Sequence, residues 1–334
     1  MGRIKSVLRH IAALAAVASI VVPGAVLAQR SPAEGYPSKP VTVVYPFVAG
    51  GPGDNEFRLY ADKLQASLGQ AFVLDFKPGA AATIGASYVL KAAPDGYTLL
   101  VTNAGITVFP NFYPALNENV IKSLAAVTEF SKGYTGVLVS QAALPNVQSL
   151  QDLLAYGKAN PGALNCNTAG AGGITHTVCA ALATALNLKI TPVHYKGVAQ
   201  GQVDLVAGRT QVSGGTLFAA MPNIKAGKVR VIAILGPERA PLMPDTRTSH
   251  EQGYNVDFPV WLGAFAPPGT PQPIVDKLSA EFAKVVRLPD VVRQLETLGN
   301  APVASTPAVF RAKVASELAY WKRIIQENDI KAEN

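Results

Sequence analysis

Hydrophobic positions in this chain fall into short apolar runs that alternate with stretches of helical period. Val41–Tyr45 is an unbroken β-branched and aromatic run and reads as a buried strand. After a Gly-rich turn, Phe57, Tyr60, Ala61, Leu64 and Leu68 share one helical face, which Gly69 closes. Phe72–Phe76 is the next strand. A helix over Ile84–Lys91 stops at Pro94-Asp95-Gly96, and Tyr97–Thr102 is a third strand. A second series follows, with strands over Gly136–Ser140, Leu164–Asn167, Ile190–Tyr195, Gln211–Ser213 and Val229–Leu235. Helices over Leu150–Lys158, Ile174–Leu186, Gln200–Ala207 and Ala219–Lys225 are interleaved with them. This alternation implies α/β layering around mainly parallel sheets.

The C-terminal part has another rhythm. Val260–Ala266 is a strand and Pro267-Pro268-Gly269 a break. Helices follow over Ile274–Val286, Val291–Leu298 and from a Thr306 cap and Pro307 to Gln326. No strand is predicted after Ala266, so these helices are expected to pack back on the first sheet.

Length and charge narrow the class. Residues 1–28 read as a secretory signal peptide: Arg3, Lys5 and Arg9 precede an apolar run, and Val26-Leu27-Ala28 forms a cleavage site before Gln29. The run is too short and Ala-rich for a membrane span. The expected mature protein is soluble, exported and long enough for two domains. Removing the leader lowers the net charge from +7 to +4. That charge is scattered, without blocks of Lys and Arg among aromatics, which argues against nucleic acid as a partner. Cys166 and Cys179 lie in a chain sent to an oxidising compartment; their spacing suits no metal motif, and geometry decides whether they pair.

Three loops where strands run into helices carry the candidate chemistry. The first, Pro46-Phe47-Val48-Ala49-Gly50-Gly51-Pro52-Gly53-Asp54, turns backbone N–H groups toward a helix N-terminus, which favours negative charge. The second is Thr102–Thr107 and the third Thr168–His176. Ligands of open α/β sheets collect at the carboxyl ends of strands, so the three loops are expected to face one crevice. The alternative for each loop taken singly is a plain tight turn. Loop one matches neither dinucleotide nor P-loop signature, lacks a phosphate-reaching Lys, and loses one donor at Pro52. Asp54 is expected to N-cap the following helix and fix the loop. His176 reads equally as a carboxylate donor or a capping His, Lys196 as an anion sensor or a solvated cation, and Trp261 as core. A nucleophile–base pair, a metal-ligand spacing and a G-x-S-x-G elbow are all missing from the sequence, so neither catalytic residues, nor a metal, nor a cofactor is expected.

Motifs in order along the chain carry a family resemblance. They are Tyr36-Pro37-Ser38-Lys39-Pro40, Pro46–Asp54, Lys77-Pro78-Gly79-Ala80, Ala93-Pro94-Asp95-Gly96-Tyr97-Thr98, Leu164-Asn165, Ala169-Gly170, His194-Tyr195-Lys196-Gly197, Ile224-Lys225-Ala226-Gly227-Lys228 and Ala266-Pro267-Pro268-Gly269-Thr270-Pro271. Together they resemble the substrate-binding proteins of tripartite tricarboxylate transporters, the Bug family of periplasmic receptors. The resemblance implies an α/β fold of two lobes, the type II periplasmic binding protein or Venus flytrap, each lobe a mixed sheet flanked by helices. Lobe 1 would comprise residues 36–135 plus 260–334, and lobe 2 residues 136–259. It implies a small carboxylate ligand held by Phe47, Val48, Ala49, Gly50, Gly51 and Gly53, with Asp54 behind them and Asn103 nearby. Thr168, Ala169, Gly170, Gly172, Thr175 and His176 would line the other side. It also implies a periplasmic monomer, no cofactor, and inner-membrane transporter subunits as partners.

Departures from the family pattern shape the expected ligand. Gly53 stands where a Thr or Ser is common, Gln211 and Gly215 where acids occur, and Phe109 where Asn precedes Pro110. A pocket with fewer acids and one more aromatic points to a carboxylate without an amine, aromatic acids included. The alternatives are a receptor presenting its ligand to a sensor kinase, or a secreted α/β enzyme using the same cleft.

Overall fold

The computed structural model describes residues 31–50, 52–79, 82–113 and 117–331. The expected signal peptide and Gly51 lie outside them. Two sheets form. The first has six strands in the order β11-β4-β10-β3-β1-β2: β1 Val41–Tyr45, β2 Phe72–Phe76, β3 Thr98–Asn103, β4 Ala125–Gly133, β10 Trp261–Ala266 and β11 Asn300–Pro302. The second has five in the order β7-β6-β8-β5-β9: β5 Thr135–Ser140, β6 Asn165–Thr168, β7 Thr191–His194, β8 Val212–Thr216 and β9 Val229–Ile234.

Both sheets are mixed rather than mainly parallel. β1 pairs parallel with β2 and β3, whereas β10 runs antiparallel to β3 and β4. In the second sheet β6 is parallel to β7 and β8, and β5 is antiparallel to β8 and β9. Antiparallel pairs arise because the chain leaves the first sheet and returns to it. Tyr134 alone separates β4 from β5. The return strand lies beside this crossing: Gly133 N donates to Val260 O at 2.8 Å, and Thr135 Oγ1 to Phe258 O at 2.9 Å.

Helices cover both faces of the first sheet. α1 (Pro52–Leu68) buries Phe57, Tyr60 and Leu64, with Gly69 beyond its end. α9 (Gln272–Val285) and α10 (Pro289–Thr297) share that core. There Phe130 and Phe282 stack at 5.2 Å, and Tyr60 meets Phe130 edge-on at 4.9 Å. Such aromatic pairs contribute about 0.5–1.5 kcal/mol beyond area burial. The opposite face is covered by α2 (Thr83–Leu90), α3 (Gly105–Val108), α4 (Glu118–Ser123) and the first half of α11 (Pro307–Glu327). The Thr306 hydroxyl caps α11, accepting from Val309 N.

α11 does not stay on the first sheet as expected. Phe310, Val314 and Leu318 pack there, but Trp321, Ile324 and Ile325 join the core of the second sheet. Their partners include Val178 and Leu182 of α6 (Ile174–Leu186), whose far end is tied by Thr184 Oγ1 to Asn328 Oδ1 at 3.0 Å. α5 (Leu150–Ala159), α7 (Val198–Val206) and α8 (Leu217–Lys225) complete the second sheet's flanks. Ser149 caps α5 by accepting from Asp152 N, while the Asp152 carboxylate accepts from Gln148 N. Cys166 of β6 and Cys179 of α6 are joined by a disulfide.

Candidate functional site

Sheet register fixes where the three loops emerge. Asn103 at the end of β3 lies opposite Leu262, next to the crossing strand, and β1 runs parallel to β3. In the second sheet Thr135 at the crossing faces Thr216 at the end of β8, and β6 runs parallel to β8. Tyr45, Asn103 and Thr168 therefore all end at the sheet edges bordering the crossovers. The loops after them begin at those strand ends, where ligands of open α/β sheets collect.

Loop one is built by Asp54. The carboxylate, 2 % exposed, accepts Gly50 N at 2.8 Å through Oδ2 and Arg58 Nε at 2.8 Å through Oδ1. Asp54 sits inside the first turn of α1 rather than at the N-cap, so it reaches back to the loop, like the acidic half of a capping box. Gly50 has φ +82°, a left-handed conformation that favours glycine. Phe47 is half-buried, edge-on to Tyr45 at 5.2 Å, whereas Val48, Ala49 and Gly50 are exposed. Gly53 packs directly against the Tyr45 phenol, so an added Cβ would overlap Oη and stand 3.2 Å from Leu262 Cδ1.

Loop two is short. Asn103 is half-buried and accepts Gly105 N at 3.0 Å, starting α3. Phe109 lies over Gly105 and meets Tyr113 edge-on at 6.4 Å. Beneath it, burial pushes the Glu317 carboxyl up to about 7, against the lowering effect of Lys313 and of the Trp261 Nε1 hydrogen bond. Trp261 is core, as expected, edge-on to Phe310 at 5.2 Å.

Loop three is tied by its own side chains. Thr168 Oγ1 and His194 Nδ1 share a hydrogen bond of 2.7 Å, and Gly170 N donates to the same hydroxyl at 3.3 Å. Ala169 N donates to Thr175 Oγ1 at 2.9 Å, and Gly172 N to His176 Nδ1 at 3.1 Å. Three amides expected to face a ligand are thus engaged within the loop. What stays open is the first turn of α6, which Gly173 caps without a side-chain acceptor. His176 stacks edge-on with His194 at 4.7 Å, and its accepting Nδ1 puts the proton of the neutral ring on Nε2. A cavity of about 10 Å³, room for one water, lies between Thr168, Thr175, Val198 and Ser213.

Other flagged residues sort by position. Lys196 is exposed. Gln211 lies at the opposite end of the second sheet: Oε1 accepts Asn165 N at 3.0 Å and Nε2 donates to Gly208 O at 3.2 Å. Its replacement of an acid therefore does not change the groove. Gly215 sits against Leu138, with Gln202 Nε2 3.9 Å from where a Cβ would stand. His194, which orients Thr168, was legible only as part of a motif, and Tyr45 only as a strand residue. Among the described residues no group of three His, Cys, Asp or Glu side chains could hold a metal ion, and no helix is long and apolar enough to cross a membrane.

Two α/β lobes, joined by adjacent crossovers and carrying glycine-rich loops at their facing strand ends, define a two-lobed solute-binding protein. The chain belongs to the tripartite tricarboxylate transporter family receptor group, whose pattern matches residues 56–330, and is of the Bug type. The UPF0065 protein of the tcbD–tcbE intergenic region of Pseudomonas sp. strain P51 is 33% identical over 96% of this chain and 94% of its own. MatC of Rhodopseudomonas palustris, solved with bound malate, is 30% identical with a TM-score of 0.68, over 87% of this chain and 100% of its own. A second R. palustris protein, solved with adipate, is 29% identical with a TM-score of 0.71, over 89% of this chain and 100% of its own. The family is one of transporter receptors rather than of enzymes.

Proposed function

We propose that this protein is a periplasmic receptor that captures a small carboxylate between its lobes and delivers it to a tripartite tricarboxylate-type membrane transporter. Lobe 1 comprises residues 36–135 plus 260–334, lobe 2 residues 136–259, and the chain acts as a monomer after losing residues 1–28. The start of loops one to three at strand ends beside the crossovers supports this reading, since two of them lead into helix N-termini, of α1 and α6. Binding of malate and adipate by the two R. palustris proteins supports the ligand class.

Phe47, Val48, Ala49, Gly50, Gly51, Gly53 and Asn103 form one wall, with Asp54 as support. Thr168, Ala169, Gly170, Gly172, Thr175 and His176 form the other. Asp54 is already paired with Arg58 and bonded to Gly50 N, so it offers little to a ligand ammonium. That supports a carboxylate without an amine, aromatic acids included. Closure traps the ligand to the extent that the closed form binds it better than the open form.

A thermal-shift screen against mono-, di-, tri- and aromatic carboxylates, with amino acids as controls, tests the reading. Ligand at a hundredfold over Kd adds about 2.7 kcal/mol of stability and raises the midpoint visibly. A flat screen, or stabilisation by amino acids alone, would overturn it.

A further inference from the structure

The Tyr45 phenol ends beside the first turn of α1, its Oη against Gly53. Tyr45 is 4 % exposed, and its hydroxyl has no hydrogen-bond partner among the described residues. The ring is buried but the hydroxyl is not sealed in, so it is free to donate to a ligand that enters beside it. Beside it, the Asp54 carboxylate is already engaged at both oxygens, by Gly50 N and Arg58 Nε, and takes no bond from the phenol. The α1 turn contributes donors only, because Gly53 and Asp54 N–H precede the first intrahelical acceptor and Pro52 has no N–H. Three donors that give no hydrogen bond to any described residue thus stand together where loop one begins α1.

We propose that Tyr45 is a ligand-contacting residue, its hydroxyl donating to a carboxylate oxygen seated at the α1 N-terminus, and that Gly53 is the residue that leaves room for it. This rests on the carboxylate reading of the groove. Burial first, then the Asp54 and Glu56 charges, push the phenol up to about 12, so it keeps its proton and acts as a donor across the physiological range. The arrangement selects for ligands with an anionic oxygen at this point, since a ligand amine would add a fourth donor to the cluster. It also explains a glycine in the helix turn: any side chain at 53 would occupy the volume of the hydroxyl.

The test uses the full-length mature protein with tyrosines labelled at 13Cζ, whose shift reports hydrogen bonding of the hydroxyl. The Tyr45 resonance is assigned by its loss in Tyr45→Phe. Sodium acetate is titrated against sodium chloride at equal ionic strength, and malate and adipate are titrated calorimetrically into wild type and Tyr45→Phe. The expected result is a saturable, acetate-specific shift of the Tyr45 signal. Tyr45→Phe should bind the better of the two diacids about tenfold or more weakly. Its ligand-free midpoint should be unchanged or raised. If a diacid binds wild type and Tyr45→Phe equally, the tyrosine assignment falls while the carboxylate reading stands. If acetate shifts nothing and neither diacid gives heat, both fall.

Discussion

The indole Nε1 of Trp261 donates to both carboxylate oxygens of Glu317 at 3.0 Å, joining the first residue of the returning strand to the middle of α11. Thr107 of α3 approaches the same carboxylate at 3.2 Å, and Lys313, one turn back on α11, pairs with Glu129 at 2.6 Å. α11 is thereby pinned to the crossover from which both lobes diverge.

Because burial raises the Glu317 carboxyl to about 7, the folded protein keeps this proton at pH values where the unfolded chain has released it. Stability from this group is present below the ordinary carboxylate range and is lost as pH rises through about 4.5 to 7, by an amount on the order of 3 kcal/mol. Glu317→Gln should match wild type near pH 4.5 and exceed it at pH 8. Urea midpoints at the two pH values check this; an unchanged difference between the proteins would refute it.

The disulfide joins Cys166, just before loop three, to Cys179, just after it, with a sequence separation of 13. Closing a loop of that length contributes about 3 kcal/mol in the chain-entropy account. Reduction, or replacement of both cysteines by serine, should lower the urea-unfolding free energy by about that amount. Ligand affinity should fall with it, because the bond closes the loop that holds Thr168, Thr175 and His176.

Gly53 and Tyr45 should be energetically coupled. Gly53→Ala forces Cβ onto the phenol oxygen and is expected to cost about 1–3 kcal/mol, as overpacking does. In Tyr45→Phe the nearest atoms become Tyr45 Cζ and Leu262 Cδ1, at 3.1 and 3.2 Å, and the same substitution should cost at least about 0.5 kcal/mol less. A double-mutant cycle on chemical denaturation measures the difference; additive effects would argue against the contact.

Asp54→Ala should act on stability before recognition. It strands the Gly50 N–H and frees Arg58, at a cost of about 1–3 kcal/mol. A thermal midpoint that does not move would show that the loop holds its shape without this carboxylate.

Much of the architecture was legible as pattern. The strand at Val41–Tyr45, the helix at Ile174–Leu186 and the Thr306-capped last helix stand where apolar period and caps predict them. β4 was not legible, because Thr128, Glu129 and Ser131 interrupt its apolar alternation. All three are buried, and Thr128 and Glu129 draw partners from residues far along the chain: Ser305 for both, and Lys313 for Glu129. β11 has only three residues and depends on pairing with β4. In the site, glycine and hydroxyl content marked all three loops, but which amides stay open depended on Thr175, His176 and His194 folding back on loop three.

Local order thus determined most of the elements, the family and the loops, because period, caps and turn residues act over a few neighbours. Tertiary structure alone decided the mixed sheets, the sharing of α11 between two cores, the disulfide and the role of Gly53. Each of these depends on groups brought together across the fold: a Trp321 that finds α6 rather than the first sheet, and a Tyr45 hydroxyl that fills the space a side chain at 53 would need.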